Sequence, residues 1–191
     1  KDSTTDDNWS GKLGLDYSLN KEWMFYGSVA TSYKGGIYYG APAASKETAG
    51  YVKPEEVLAY ELGFKGSMLN NSLRLNGSVY QYQYDDRQTV VNVYSIATNS
   101  IAGTLANIEE SEITGAEMEF RLLPAEGWDL RAGVSYIDGK VTKSPGDFIR
   151  GLPLILTIPE GTPLAQAPEW SYNTIVSYEW TAVEGYFASI M

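Results

Sequence analysis

The sequence predicts an all-β fold, an antiparallel up-and-down meander of about eight strands. Three observations carry that prediction. Apolar and polar residues alternate with period two in successive stretches. The connections between the stretches alternate short and long. Aromatic residues are abundant, with Tyr 15, Trp 5 and Phe 5 in 191 residues, and many stand at the ends of the stretches. No capped helical pattern of any length interrupts the alternation.

Trp9 to Leu19 sets Trp9, Leu13, Leu15, Tyr17 and Leu19 against Ser10, Lys12, Asp16 and Ser18. Trp23 to Tyr33 sets Trp23, Phe25 and Val29 against Met24, Tyr26 and Ser28. The third strand opposes Leu58, Tyr60, Leu62 and Phe64 to Glu61, Gly63 and Lys65. The fourth opposes Leu73, Leu75 and Val79 to Arg74, Asn76 and Tyr80. In the fifth, Ala116, Met118, Phe120 and Leu122 face away from Glu117, Glu119 and Arg121. The sixth separates Trp128, Leu130, Val134 and Tyr136 from Asp129, Arg131 and Ser135. The seventh separates Trp170, Tyr172, Val176, Tyr178 and Trp180 from Ser171, Asn173 and Glu179. An eighth begins near Gly185 and runs toward Met191.

Tight turn-type links are read at Asn20-Lys21, Leu69 to Ser72, Pro124 to Gly127 and Thr181 to Glu184. Long links are read at Lys34 to Pro54, Asp85 to Glu112 and Asp138 to Glu169. Such links are too long for an ordinary compact domain. Strict alternation of short turns and long loops belongs to outer-membrane barrels. The aromatic positions agree. Trp23, Trp128 and Trp180 lie near short turns, and Trp9, Tyr136 and Trp170 lie at the opposite strand ends. From Trp170 to Trp180, at a rise of roughly 3.3 Å and a tilt near 45°, the chain covers about 23 Å of membrane normal, close to the lipid-facing band of such barrels. These six aromatics are the expected membrane girdle, where amphipathic rings meet both lipid and water. A competing reading is a soluble antiparallel sheet with the same residues in its core.

Composition excludes much else. Lys plus Arg is 14 and Asp plus Glu is 24, a formal net charge of −10, which is unsuited to nucleic acid. His and Cys are both 0, which removes thiolate metal sites, disulfides, Ser-His-Asp triads and Cys-His dyads. No apolar run is long enough for a transmembrane helix. The opening KDSTTDDNWS does not read as a signal peptide. An enzyme is not expected. With His absent only carboxylates remain, and Glu117 and Glu119 share a face with Arg121, an arrangement suited to ion pairing rather than to a general acid.

From Val29 onward the motifs become specific. VATSYKGG is followed by KPEEVLAYELGFKGSMLNNSLRLNGSVYQYQYDDRQ, then ITGAEMEFRLLP, WDLRAGVSYIDGKV and LAQAPEWSYNTIVSYEW. The chain resembles the C-terminal part of the barrel of TonB-dependent outer-membrane receptors. Pro54, Glu55, Tyr60, Glu61, Gly63 and Lys65 match one strand motif of that family. Arg74, Leu75, Asn76, Tyr80, Tyr84, Asp86 and Gln88 match the next, and Gly115, Glu117 and Glu119 the one after. The resemblance implies a bacterial outer-membrane location and a barrel of about 22 strands, of which this chain supplies roughly a third. It implies uptake of a scarce ligand, most commonly a ferric siderophore, energised through TonB. It also implies an N-terminal plug domain and a TonB box, neither of which is read in residues 1–191. The whole chain is therefore expected to be one barrel segment, and its end at Ile190-Met191, inside a strand, departs from the family's aromatic terminus. Two other functions remain open: a small passive or structural outer-membrane barrel of about eight strands, and a soluble β binding module.

Candidate sites follow. Glu61, Lys65, Arg74, Glu117, Glu119, Arg121 and Arg131 share the polar face and are expected to line the lumen and contact the plug. The alternative for that face is a solvated surface with cross-strand pairs. Tyr38, Tyr39 and Tyr51, on a long link, are expected to offer stacking surface to a ligand. Asp85-Asp86 and Glu109-Glu110-Glu112 read as solvated charge runs on loops, without the spacing of a calcium loop. No cofactor and no resident metal are expected. The loops offer Tyr, Asn and Ser rather than soft or imidazole ligands, which favours a large neutral or weakly charged organic chelate over a free ion.

Overall fold

The computed structural model describes residues 4–39, 50–95, 99–144, 154–155, 158–164, 168–183 and 186–190. The described residues are strands, turns and bends, with no helix among them. The strands are β1 (Gly11–Ser18), β2 (Trp23–Lys34), β3 (Ile37–Tyr39), β4 (Gly50–Val52), β5 (Glu55–Met68), β6 (Leu73–Ser95), β7 (Ser100–Leu122), β8 (Trp128–Lys143), β9 (Leu154–Ile155), β10 (Trp170–Val183) and β11 (Tyr186–Ile190). The main sheet runs β1-β2-β5-β6-β7-β8-β10-β11, every neighbour antiparallel, with β9 added to β6. All eight expected strands are present, in meander order. β1 and β11 stand at opposite ends of this path and do not pair with each other, so the described sheet does not close into a small barrel by itself.

The short turns follow from local chemistry. Asn20 Oδ1 accepts hydrogen bonds from the backbone N–H groups of Glu22 and Trp23, both at 2.8 Å, an Asx turn between β1 and β2. Between β5 and β6, Leu69, Asn70 and Asn71 are all left-handed, with φ of 53, 55 and 69°. Asn accepts that conformation readily and Leu does not. Leu69→Asn is therefore expected to raise stability by up to about 1 kcal/mol in chemical denaturation.

Three long links are corrected by the structure. The link read at Asp85 to Glu112 is mostly strand, because β6 and β7 pair continuously from Leu73↔Leu122 to Ser95↔Ser100, interrupted only at Asp86 and Glu109. The acidic residues hid it. Beyond them Thr89 to Tyr94 is rich in β-branched side chains, which favour the pleated backbone. Each of these strands has 23 residues, about twice what a membrane-crossing strand needs. Asp85, Asp86, Glu109, Glu110, Glu112 and Tyr94 thus lie on strands and not on loops. The link from Lys34 to Pro54 contains its own small sheet, β3 with β4. In the third link, β8 continues to Lys143 and the returning chain packs against its end, with Val141 N–H donating to Thr162 O at 2.9 Å.

Among the described residues, core packing is confined to this long-loop end. The buried apolar side chains are Val52, Val91, Ala106, Ile108, Val141 and Leu164. Ile108, Val141 and Leu164 cluster with Ile113 and Ile158. Across the central strands there is no buried core. Instead the register sorts the two faces. Leu15, Gly27, Leu62, Val79, Ala116, Tyr136 and Trp170 are successive partners across one face. Phe25, Phe64, Gly77, Met118, Val134 and Tyr172 form the next row of that face. Leu13, Leu62, Val79, Met118, Tyr172 and Val176 are exposed. An apolar surface this continuous needs a nonaqueous neighbour.

Candidate functional site

The seven charged residues of the polar face all fall on the side opposite that apolar surface. Glu61 stands between Ser28 and Tyr80, and Glu117 between Ser78 and Ser135. Lys65, Asn76 and Glu119 form one row, and Arg74, Arg121 and Arg131 another.

Two strand motifs build the same local unit on this face. Tyr26 lies opposite Gly63, and a Cβ on Gly63 would come within 2.4 Å of the Tyr26 ring. The missing side chain lets the ring lie across the neighbouring strand. Its hydroxyl then donates to Glu61 Oε1 at 2.8 Å, and Lys65 Nζ sits 5.9 Å from the ring centroid. Tyr80 repeats the pattern on Gly115, where a Cβ would lie 2.4 Å from the ring, and its hydroxyl reaches Glu117 Oε1 at 3.4 Å. Glycine in these motifs therefore makes room for a tyrosine that orients a glutamate. Tyr26 was missed in the sequence because its role appears only once β2 is placed in register with β5. Gly115→Ala is expected to displace the Tyr80 ring and cost about 1 kcal/mol. In a double-mutant cycle the cost should shrink when Tyr80 is already Ala.

The arginine row places like charges directly opposite one another, which is unfavourable by itself. Asp129 relieves it. Arg121 Nη2 and Arg131 Nη2 each donate to Asp129 Oδ2 at 2.7 Å, with further bonds from both Nε atoms to Oδ1 at 3.0 and 3.2 Å. Arg74 makes no ion pair among the described residues. The sequence signal for Asp129 was its place two residues from Arg131 on the same face.

At the long-loop end, Tyr38 and Tyr51 are cross-strand partners in the β3–β4 sheet, with ring centroids 5.2 Å apart. Tyr39 pairs with Gly50, and its side chain lies outside the described residues. Asp6, ahead of β1, accepts hydrogen bonds from the Tyr51 hydroxyl and from Gly36 N–H. Partial burial, followed by this bond and the Asp6 charge, pushes the Tyr51 hydroxyl up to about 12 from 10.0. A raised phenol favours the protonated folded form, so the tie contributes below pH 10.0 and is lost as pH rises toward about 12. The alkaline absorbance difference between wild type and Tyr51→Phe should therefore report a tyrosine titrating above the ordinary range. The acidic strand residues repel one another nearby. Burial and then Glu110, Glu56 and Asp86 hold the Asp85 carboxyl above the usual range, opposed by Lys143. Among the described residues no group of carboxylates has metal-site geometry.

The aromatic residues gather at two levels of the apolar face. Trp128 packs on Tyr178 at 4.8 Å, and Tyr178 stacks on Trp180 at 5.8 Å. Tyr136 packs on Trp170 at 4.9 Å. Trp23 meets Phe64 at 6.0 Å, while Trp9 is exposed just before β1.

Residues 1–189 match the family model described as TonB dependent receptor-like, beta-barrel. The probable TonB-dependent siderophore receptor PiuA of Acinetobacter baumannii is 23% identical over 172 residues, covering 88% of this chain and 22% of its own. The pesticin receptor of Yersinia pestis is 29% identical over 133 residues, covering 69% of this chain and 18% of its own. The crystal structure of the ferric yersiniabactin uptake receptor FyuA from Yersinia pestis superposes with a TM-score of 0.66 at 22% identity, covering 90% of this chain and 23% of that one. The chain thus spans about a fifth of the curated relatives it matches, and these relatives are receptors, not enzymes. Sorted faces, paired aromatic levels and the match over residues 1–189 lead to one assignment: the chain belongs to the TonB-dependent receptor β-barrel family and is a portion of the barrel of an outer-membrane receptor.

Proposed function

We propose that the intact protein takes up a ferric siderophore or a similar organic chelate, energised through TonB. The observation that carries this reading is the sorting of faces by register. One face is apolar and bounded by aromatics, as lipid contact requires. The other carries Glu61, Lys65, Arg74, Glu117, Glu119, Arg121 and Arg131. We assign that face to the lumen, in contact with a plug domain supplied by the rest of the protein. Glu61 and Glu117, oriented by Tyr26 and Tyr80, are preorganised acceptors for plug donors. Tyr38, Tyr39 and Tyr51, beyond the membrane span, supply stacking surface to the ligand. Each such contact is worth about 0.5–1.5 kcal/mol, judged from aromatic pairs. Relatives named for siderophore and pyoverdine reception point to the same ligand class.

The test is iron uptake from ferric chelates by a deletion strain complemented with the intact receptor, with and without functional TonB. Uptake that requires both the receptor and TonB is the expected result. Uptake that persists without TonB would favour a passive pore. Failure across ferric chelates, with TonB-dependent uptake of another solute, would overturn the ligand class. Replacing Tyr38, Tyr39 and Tyr51 together by Ala should weaken binding of the transported chelate at least tenfold. Unchanged affinity would place recognition elsewhere in the protein.

A further inference from the structure

After β2 the chain leaves the main sheet at Gly35, and it rejoins at Lys53, just before β5. The excursion between those points carries β3 and β4, and with them Tyr38 and Tyr51. Its two legs meet at one side chain on β6. The Gln88 carboxamide donates from Nε2 to Gly35 O and to Lys53 O, both at 3.0 Å. The two protons of a single NH₂ group thus hold the departing and the returning leg together.

Gln88 is itself held in place. It is 8% exposed, and its backbone N–H donates to Glu55 Oε2 at 2.7 Å. Asn107 on β7 fixes the returning leg a second time. Its Oδ1 accepts from Lys53 N–H at 2.9 Å, and its Nδ2 donates to Lys53 O at 3.0 Å and to Asp86 O at 2.6 Å. The Lys53–Asp86 ion pair at 3.2 Å is largely exposed and adds little. The geometry explains why an amide is needed. A carboxylate of the same shape would turn an acceptor oxygen toward two carbonyls, and an apolar side chain would take this partner from Gly35 O and leave Lys53 O to Asn107 alone.

We propose that Gln88 is a positioning residue, a clasp that closes the neck of the 36–52 excursion and fixes the Tyr38–Tyr51 pair over the outer end of β5–β7. The inference rests on the reading that this end meets the ligand. The β2–β5 ladder already joins Lys34 to Glu55 at this point, and the amide carries the closure one step further along both legs, which fixes the direction in which they lead to Tyr38 and Tyr51 and lowers the ordering cost of presenting that pair.

Hydrogen exchange of the intact receptor tests the clasp without any ligand. In Gln88→Glu, the isosteric variant, and in Gln88→Ala, amide protection in β3 and β4 should fall at least tenfold while the central parts of β5 to β8 keep theirs. In Asn107→Ala the loss should be smaller, because the Gly35 leg stays bonded. Unchanged protection in β3 and β4 overturns the proposal. So does a loss shared equally by the central strands, since that would be general destabilisation. Should the Gln88 variants fail to assemble, Gln88→Asn, one methylene too short to reach both legs, is read in the same way. A second arm measures binding of a synthetic iron(III) tris-hydroxypyridinonate, a neutral chelate with aromatic rings, to wild type and Gln88→Glu. Weaker binding alongside faster exchange supports both the clasp and the ligand reading. Faster exchange with unaltered binding keeps the clasp and removes the ligand from this loop.

Discussion

Val134→Arg is expected to lower the stability of the intact receptor in phospholipid vesicles by about 1–3 kcal/mol, the cost of a cationic side chain on the lipid face between the bilayer centre and an aromatic level. Val134 lies on β8 between Met118 and Tyr172 in register, both exposed on the apolar face. It sits between the two aromatic levels of this strand, Trp128 and Tyr136. The control is one residue away. Ser135 lies between Glu117 and Ser171 on the polar face, so Ser135→Arg adds a charge beside a carboxylate and should change stability by less than about 1 kcal/mol. Equilibrium denaturation of the two variants measures the contrast. Equal costs would mean that the two faces do not meet different solvents, and would sink the membrane orientation.

Gly127→Ala should cost about 2–3 kcal/mol. Gly127 closes the turn between β7 and β8 with φ of 81°. Its carbonyl accepts from Glu179 N–H at 2.8 Å, and a Cβ there would lie 2.2 Å from Glu179 O. A left-handed side chain costs roughly 1–2 kcal/mol, and displacing Glu179 gives up about 1 kcal/mol of backbone bonding. Gly161 provides the comparison, because its φ is 82° but nothing lies within 4 Å of a built Cβ. Gly161→Ala should carry the backbone cost alone. Identical losses in chemical denaturation would show that the contact with β10 contributes nothing.

The strands were legible because their side chains alternate over a long enough run for the period to show. Leu62, Glu61, Phe64 and Lys65 are sorted by parity alone, and the structure puts them on opposite faces as parity requires. The outer hairpin was not legible, because Asp85, Asp86, Glu109 and Glu110 break the apolar alternation while leaving the backbone pairing almost intact. The small β3–β4 sheet was hidden by its length, since three residues carry no usable period.

By itself the sequence determined the meander, the order of its strands, the short turns at Asn20-Lys21, Leu69 to Ser72 and Pro124 to Gly127, and the side of each strand that bears charge, whereas at the fourth expected turn Thr181 to Val183 continue β10. Those follow from local alternation and turn chemistry, which depend on near neighbours along the chain. Only the tertiary structure decided which charges meet. Asp129 joining Arg121 to Arg131, Tyr26 lying across Gly63 to reach Glu61, and Gln88 holding Gly35 and Lys53 each depend on register between strands. Parity assigns a residue to a face, but register selects its partner, and register is set by the pairing of whole strands.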